Sequence, residues 1–151
     1  MADAPIAIHW FLPTSGDSRT VVPMGDHPNY RPPTLDYLAS VAQAADRLGY
    51  DAVLTPTGTW CEDAWLVTAA LIQHTERLKF LVAFRPGSLT PTLAAQKAAT
   101  FQRISNGRLL LNIVTGGEAS EQRRFGDWLD HDERYDRTDE FLSVLRGALS
   151  G

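Results

Sequence analysis

The sequence predicts an α/β protein in which parallel strands form one sheet and helices pack on it. Four short apolar runs alternate with four segments of helical periodicity. The first apolar run is nearly continuous rather than alternating, which is typical of a strand buried on both faces. No hairpin signal such as Asn-Gly joins two of these runs directly. Together these observations favour a series of βα units over a sheet built from hairpins.

The first unit is a strand at 6–12 followed by a helix at 35–48. Between them, the prolines within 13–33 exclude a regular helix or a central strand. The helix has apolar residues at steps of three and four. Thr34 is its expected N-cap, and Gly49 is its expected C-terminal stop.

The second unit is a strand at 52–54 followed by a helix at 59–74. Thr59 and Glu62 have the spacing of a capping box, in which two side chains satisfy N–H groups at the start of a helix. This spacing predicts that the second helix begins at Thr59.

The remaining two units follow the same order. Strands are predicted at 78–84 and 109–114, and helices at 91–104 and about 134–149. Pro91 suits the first turn of its helix. Parallel sheets bind ligands at the carboxyl ends of their strands. The loops in which a ligand site is expected are therefore 13–17, 56–61, 85–90 and 115–121.

Composition narrows the class of protein. The chain has 151 residues, a formal net charge of −4 and one cysteine. The length suits one domain, and the lack of a basic excess argues against a nucleic-acid partner. No secretory signal and no apolar run of membrane-spanning length is visible. A single cysteine cannot form an internal disulfide, so we expect a cytoplasmic protein.

Cys61 is a candidate reactive residue because it lies near the predicted start of the second helix. Backbone N–H groups and the helix dipole favour a thiolate there. Glu62 and Asp63 oppose ionisation through their like charge. The alternative, a half-buried and unreactive thiol, is favoured on spacing alone. No cysteine–histidine spacing predicts a metal site.

Polar residues near the last strand and the last helix are candidate ligand contacts. Asn112 interrupts an apolar strand, and either hydrogen-bonds its neighbours or presents its amide to a polar heterocycle. The acidic segment 130–136 is more typical of a helix N-terminus than of a metal site. Within it, Arg134 offers a guanidinium for a phosphate or carboxylate, and Tyr135 a phenol for hydrogen bonding or stacking.

Short motifs that follow one another along nearly the whole chain carry a family resemblance. They are Trp10-Phe11-Leu12-Pro13-Thr14, Gln43-Ala44-Ala45-Asp46-Arg47-Leu48-Gly49-Tyr50, Pro56-Thr57-Gly58, Cys61-Glu62-Asp63-Ala64-Trp65-Leu66-Val67, Arg77-Leu78-Lys79-Phe80-Leu81-Val82-Ala83, Ala98-Ala99-Thr100, Ser105-Asn106-Gly107-Arg108, Asn112-Ile113-Val114-Thr115-Gly116, and Asp130-His131 with Arg134-Tyr135. In this order they resemble the flavin-dependent alkanesulfonate monooxygenases of the bacterial luciferase-like superfamily.

The resemblance implies a (β/α)8 TIM-type barrel, with residues 1–151 holding its first four βα units as the N-terminal half. Such a barrel typically takes about 250 residues. The resemblance also implies an enzyme that uses O2 and reduced FMN, delivered by a separate NAD(P)H-dependent flavin reductase. Its reaction would cleave an alkanesulfonate into an aldehyde and sulfite. Strands one and four would be open edges, so we expect a homo-oligomer.

The same resemblance assigns roles to individual residues. Cys61 matches the family's active-site cysteine, and Asn112 matches a flavin-contacting asparagine. Five further positions match residues that contact FMN, namely Pro56, Thr57, Glu121, Arg134 and Tyr135. One departure is Ser15, where related enzymes often have a histidine. A serine hydrogen-bonds but carries no charge, which leaves the sulfonate unspecified.

The sequence leaves three interpretations open. The chain is the N-terminal segment of a monooxygenase that is active only as a whole, or a half-barrel that binds flavin or assembles without catalysis. The third interpretation is a small flavodoxin-like domain. It is disfavoured because 13–17 only partly imitates a phosphate loop after the first strand.

Overall fold

Four parallel strands form one sheet in the order in which they occur along the chain. The computed structural model describes residues 6–18 and 28–150. Its strands and helices are β1 (His9–Phe11), α1 (Leu35–Leu48), β2 (Ala52–Thr55), α2 (Ala64–Leu71), β3 (Lys79–Phe84), α3 (Pro91–Ser105), β4 (Leu109–Ile113), α4 (Ala119–Arg124) and α5 (His131–Ser150). A short 3-10 turn, Ile72–His74, follows α2. The predicted alternation of strands and helices is confirmed.

The strand order separates a barrel wall from an open doubly wound sheet. Each strand pairs in parallel with the next one along the chain, for example Trp10 beside Val53 and Phe80 beside Leu109. A doubly wound sheet instead reverses its order at a switch point, where its ligand binds. No reversal occurs among the four described strands. The flavodoxin-like interpretation therefore does not describe this fold.

The core lies between the sheet and its helices, and aromatic residues fill its centre. Phe80 and Phe84 of β3 are almost completely buried. The ring of Phe80 lies 5.9 Å from that of Phe101 on α3, and the ring of Phe84 lies 5.6 Å from that of Trp65 on α2. Phe84 also contacts Phe141 on α5, with ring centroids 6.0 Å apart. These pairs fix helices from three different units against one strand.

Local signals at helix ends are mostly confirmed. The Thr34 hydroxyl accepts from the N–H of Tyr37 at 3.2 Å, and Gly49 ends α1 in the left-handed region at φ 83°. Pro91 occupies the first turn of α3. Thr34 and Gly49 satisfy backbone groups that a helix end would otherwise leave unpaired, and Pro91 has no N–H that needs a partner.

The predicted start of the second helix is wrong. The helix begins at Ala64, and the carboxylate of Asp63 caps it by accepting from the N–H of Leu66 at 2.8 Å. The N–H of Thr59 instead donates to the side chain of Glu121, 62 residues away along the chain. A long-range bond has thus replaced the local capping box, and residues 59–63 form a loop.

Three further elements differ from the expectation. β1 covers only three residues, all three are exposed, and the strand lies at one end of the sheet that the described residues form. α4 was not predicted, since its six residues carry no apolar periodicity. The last helix begins at His131, somewhat before the predicted 134.

The open edge at β1 leads to a prediction about association. Ile6 and Ile8 precede β1 and are 88% and 58% exposed. Exposed apolar strand edges pair with other chains, and lysines on them prevent such pairing. We expect the 151-residue chain to associate in a concentration-dependent way in sedimentation velocity, and Ile8→Lys to weaken that association. Leu149→Lys, a matched substitution on α5, should leave it unchanged. A monomer at all concentrations would contradict the expectation.

A buried carboxylate fastens α1 to the turn that leads into β3. The two oxygens of Asp46 accept from the N–H groups of Glu76, Arg77 and Leu78, at 2.7, 3.3 and 3.1 Å. Burial alone would raise the pKa of Asp46, but these three bonds and the Arg77 guanidinium hold it below its usual range. The ionised form is therefore the one that stabilises the fold.

We expect Asp46→Asn to lower the free energy of unfolding by about 1–3 kcal/mol near neutral pH, because charged acceptors of several N–H groups are lost. The contribution exists above the unfolded pKa of roughly 3.9 and disappears as the pH falls through the lower folded pKa. The difference between the two proteins in urea denaturation should therefore shrink in acid. Asp139→Asn, on the exposed face of α5, is the control. An equal loss in both variants would be evidence against a specific role of Asp46.

Candidate functional site

Loops from different βα units meet at the carboxyl edge of the sheet. The N–H of Glu62, in the loop after β2, donates to the carbonyl of Thr14, after β1, at 3.0 Å. The N–H of Thr59 donates to Glu121 Oε1 on α4 at 3.0 Å. Arg85, the first residue after β3, donates from Nη2 to Glu121 Oε2 at 2.7 Å. All four loops in which a site was expected therefore contribute to one connected cluster.

Cys61 belongs to this cluster, but it does not lie at a helix N-terminus. Its thiol is half-buried and lies 3.7 Å from the carbonyl oxygen of Pro56 and 3.6 Å from that of Gly58, in donor geometry to both. Burial raises the pKa of the Cys61 thiol; the Thr14 hydroxyl lowers it, and the Glu121 charge raises it. The thiolate alternative is therefore not favoured, since burial raises the pKa, α2 begins three residues later, and its dipole effect is confined to its first turn. The interpretation as a protonated, half-buried thiol fits the structure.

Arg85 and Glu121 form the ion pair at the centre of the cluster. Their side chains are 9% and 15% exposed. Burial alone would raise the pKa of Glu121, but the bonds from Arg85 and from the Thr59 N–H hold it below its usual range. The Arg85 guanidinium also lies over the ring of Phe125, 5.3 Å from its centroid. Neither Arg85 nor this pairing was singled out from the sequence, since an arginine after a strand acquires meaning only through its distant partner.

Two glycines allow unusually close packing at this edge. A Cβ on Gly116 would lie 1.7 Å from Nε2 of Gln122, and its φ of 89° disfavours other residues as well. A Cβ on Gly58 would lie 2.8 Å from Glu121 Oε1. Both glycines therefore let α4 approach the loops that follow β2 and β4.

Asn112 stands near the carboxyl end of β4, beside Ala83 of β3. It is half-buried, and no hydrogen bond to its amide occurs among residues 6–18 and 28–150. Gln122 Nε2 and Thr55 Oγ1 are fully buried at the same edge and are also without partners among the described residues.

Arg134 and Tyr135 lie at the start of α5 and differ in exposure. Arg134 is 3% exposed, and its Nη1 donates to the carbonyl of Leu129 at 2.8 Å. Tyr135 is exposed and stacks against His131, with ring centroids 5.0 Å apart. Neither side chain hydrogen-bonds to Cys61 or Glu121 in the described structure. Among the described residues, no hydrogen bond therefore joins the predicted flavin contacts on α5 to Cys61 or Glu121.

Two classes of feature are not found in the part of the chain that is described. No group of three or more His, Cys, Asp or Glu residues with the arrangement of a metal site occurs in it. Among its helices, none has the length and apolarity needed to cross a bilayer.

The chain as a whole matches a known family. The model of the luciferase-like monooxygenase family matches residues 6–151. The chain therefore belongs to the luciferase-like monooxygenases, whose members are flavin-dependent oxidoreductases.

Solved structures show the same fold over nearly the whole chain. A long-chain alkane monooxygenase is 24% identical, with a TM-score of 0.80, over 94% of this chain and 38% of its own. A riboflavin lyase, solved with a modified FMN and riboflavin, is 26% identical, with a TM-score of 0.80, over 94% and 37%. EDTA monooxygenase from Chelativorans sp. BNC1 is 24% identical, with a TM-score of 0.78, over 93% and 36%. The present chain thus spans little more than a third of the length of these structures, as part of a TIM-type barrel.

The carboxyl edge fits part of a flavin site. The isoalloxazine ring presents both donors and acceptors, and the unpartnered amide of Asn112 is able to bond to either kind. The buried, unpartnered Gln122 Nε2 shows that further polar atoms at this edge are not satisfied by the described residues alone. Polar heterocycles are ordinarily held by a few such convergent groups in an otherwise apolar cleft.

The environment of Cys61 leads to a prediction about pH. Because burial raises its pKa, the thiol should react slowly with iodoacetamide at pH 7 and faster as the pH rises beyond about 8.5, its ordinary value. The chain has one cysteine, so the modification is read directly by mass spectrometry. The same chain in urea supplies the reference for an unperturbed thiol. An apparent pKa below that of the unfolded chain would contradict the structure.

Proposed function

We propose that this chain is the N-terminal part of a reduced-FMN- and O2-dependent monooxygenase that converts an alkanesulfonate to an aldehyde and sulfite. The observation that carries the proposal is the cluster at the carboxyl edge, where the unpartnered Asn112 amide shares one sheet end with the Cys61 loop (residues 56–61). Membership of the luciferase-like monooxygenases supports the flavin. The sulfonate is supported by the ordered motifs of the sequence, since the structural neighbours are named for alkane, EDTA and riboflavin chemistry.

Each residue of the proposed site has a distinct role. Reduced flavin supplies the electrons that activate O2 when it is bound. Asn112 and the Pro56–Thr57 backbone contact the flavin, while Cys61 provides a neutral, weakly polar surface beside it. Arg134 and Tyr135, at the start of α5, are the further contacts to FMN. Glu121, whose two oxygens are both engaged within the protein, acts on the flavin site through the loops it joins.

The proposed partners follow from the chemistry. They are O2, a small sulfonate, and a separate NAD(P)H-dependent reductase that supplies reduced FMN in the cytoplasm. In relatives this chain corresponds to little more than a third of the length, and barrels of this type commonly bind phosphate after strands seven and eight. The 151-residue chain alone is therefore proposed to lack turnover. Its open edges favour a homo-oligomer or pairing with further βα units.

A half-barrel that binds flavin or assembles without catalysis is the second candidate. The exposed β1 edge favours it, because four parallel strands with an unpaired edge already provide a surface for another chain. The two candidates differ in whether activity appears when the rest of a barrel is supplied.

The test measures flavin binding and sulfite release separately. The 151-residue chain is titrated with oxidised and with reduced FMN, alone and with a polypeptide that supplies four further βα units. With a flavin reductase and a series of alkanesulfonates, we expect sulfite only in the complemented sample. Tight FMN binding without sulfite in either sample would support the half-barrel candidate instead. No FMN binding in any sample would contradict the monooxygenase proposal and the flavin-binding form of the half-barrel.

Within this test, Asn112→Ala should weaken FMN binding about fivefold, since one hydrogen bond is worth about 1 kcal/mol. Gln73→Ala removes an exposed amide from the 3-10 turn before β3 and is the control. Equal affinities of the two variants would exclude Asn112 from the flavin site.

A further inference from the structure

A single ion pair connects three separate segments at the carboxyl edge. Arg85 follows β3 directly, and Glu121 lies in the first turn of α4. The carboxylate of Glu121 accepts from Arg85 through Oε2 at 2.7 Å and from the Thr59 N–H through Oε1 at 3.0 Å. Arg85 Nη2 also reaches the carbonyl of Thr57 at 3.5 Å. We propose that Arg85 and Glu121 are positioning residues that hold the Cys61 loop in its site geometry.

The Arg85–Glu121 pair holds residues of the Cys61 loop that the contacts within the loop do not hold. Cys61 is held by carbonyls of its own loop, at Pro56 and Gly58. Thr57 and Thr59, which lie between and beside these contacts, bond to Arg85 and Glu121 instead. Without the pair, the Thr59 N–H would lose its acceptor, and the loop would keep its short internal contacts and, just after it, the bond from the Glu62 N–H to the Thr14 carbonyl.

Because the Arg85–Glu121 pair is buried, it restricts the geometry of the loop more than an exposed ion pair would. Both side chains are largely excluded from solvent, and Phe125 covers the guanidinium. Removing one partner of a buried pair leaves an uncompensated charge, whereas exposed pairs contribute little. Solvent salt also screens buried pairs only weakly. The loop geometry should therefore respond strongly to either partner and weakly to ionic strength.

Another ion pair of similar geometry supplies the comparison. Arg137 Nη2 lies 2.6 Å from Asp127 Oδ2, and Asp127 is 10% exposed. This pair joins α5 to the segment before it and packs near Gly87, but it makes no hydrogen bond to the Cys61 loop. Breaking the Arg137–Asp127 pair therefore measures the effect on Cys61 of losing a partly buried ion pair that does not contact the Cys61 loop.

Any effect of the Arg85–Glu121 pair on flavin binding rests on the proposed function. Its effect on the position of the Cys61 loop does not. Pro56, Thr57 and Cys61, which the family resemblance places near the flavin, all belong to this loop. The pair would therefore set where these groups stand without touching the ligand.

Cys61 reports on its loop because it is the only cysteine of the chain. The experiment measures its alkylation by iodoacetamide across pH in the parent chain, Glu121→Gln, Arg85→Met and Asp127→Asn. The plateau rate at high pH reports on access to the sulfur, and the midpoint reports on the local charge. The neutral double variant Arg85→Met with Glu121→Gln avoids a lone buried charge. Far-UV circular dichroism identifies any variant that has unfolded.

We expect the plateau rate to rise about tenfold in Glu121→Gln and in the double variant, since a loop held by fewer contacts opens more often. Asp127→Asn should retain the parent rate. The midpoint should fall in Glu121→Gln, where a negative charge near the thiol is lost, and rise in Arg85→Met, where a positive charge is lost. Arg85→Lys, which keeps the charge, should restore the parent midpoint but only part of the parent plateau. The opposite midpoint shifts follow from the two charges near the thiol, so the plateau rate is the readout of loop position.

Parent-like plateau rates in both folded Glu121→Gln and the folded double variant would overturn the proposal. A titration of the same variants with FMN gives the second readout, in which Glu121→Gln should bind more weakly than Asp127→Asn. If the parent binds no FMN even with the further βα units added, the proposed function fails, yet the alkylation data still decide whether the pair holds the loop.

Discussion

The parallel alignment of the four strands is the constraint on which the rest of the structure depends. Each strand is followed by a return through a helix, so every strand ends at the same edge of the sheet. Residues as far apart in sequence as Thr14, Thr59, Arg85 and Glu121 therefore meet there. The core supports this alignment through β3, whose aromatic residues contact those of α2, α3 and α5. The site is thus a consequence of strand direction rather than of any single motif.

The sequence is informative where a structural signal is local, and less so where two local signals compete. Thr34, Gly49 and Pro91 act within one helical turn, and their predicted roles are found. Thr59 and Asp63 both have the chemistry of an N-cap, and only the distant Glu121, which takes the Thr59 N–H, decides between them. The prediction of a buried first strand is wrong because the apolar residues of β1 do not show that the strand lies at one end of the described sheet, with its side chains exposed.

The candidate site shows the same division. Asn112 and Cys61 are visible in the sequence because one is a polar residue in an apolar strand and the other is the only cysteine. Arg85 is not visible, because its meaning depends on a carboxylate 36 residues later. The environment of Cys61 was equally inaccessible, as it depends on two loop carbonyls and on burial rather than on spacing. The features that were not predicted are contacts between residues far apart in sequence, which the residue types alone do not reveal.

A buried ion pair is an expensive way to stabilise a loop, since desolvation offsets much of its Coulomb energy. Its advantage lies in geometry, because a carboxylate accepts two bonds in different directions and a guanidinium donates in a fixed plane. Apolar contacts between the same loops would be less directional and would tolerate small shifts. In a site assembled from loops of separate βα units, that directionality is what keeps Thr57 and Thr59 in fixed relation to β3 and α4. The desolvation cost of Arg85 and Glu121 is therefore consistent with a requirement for position rather than for stability.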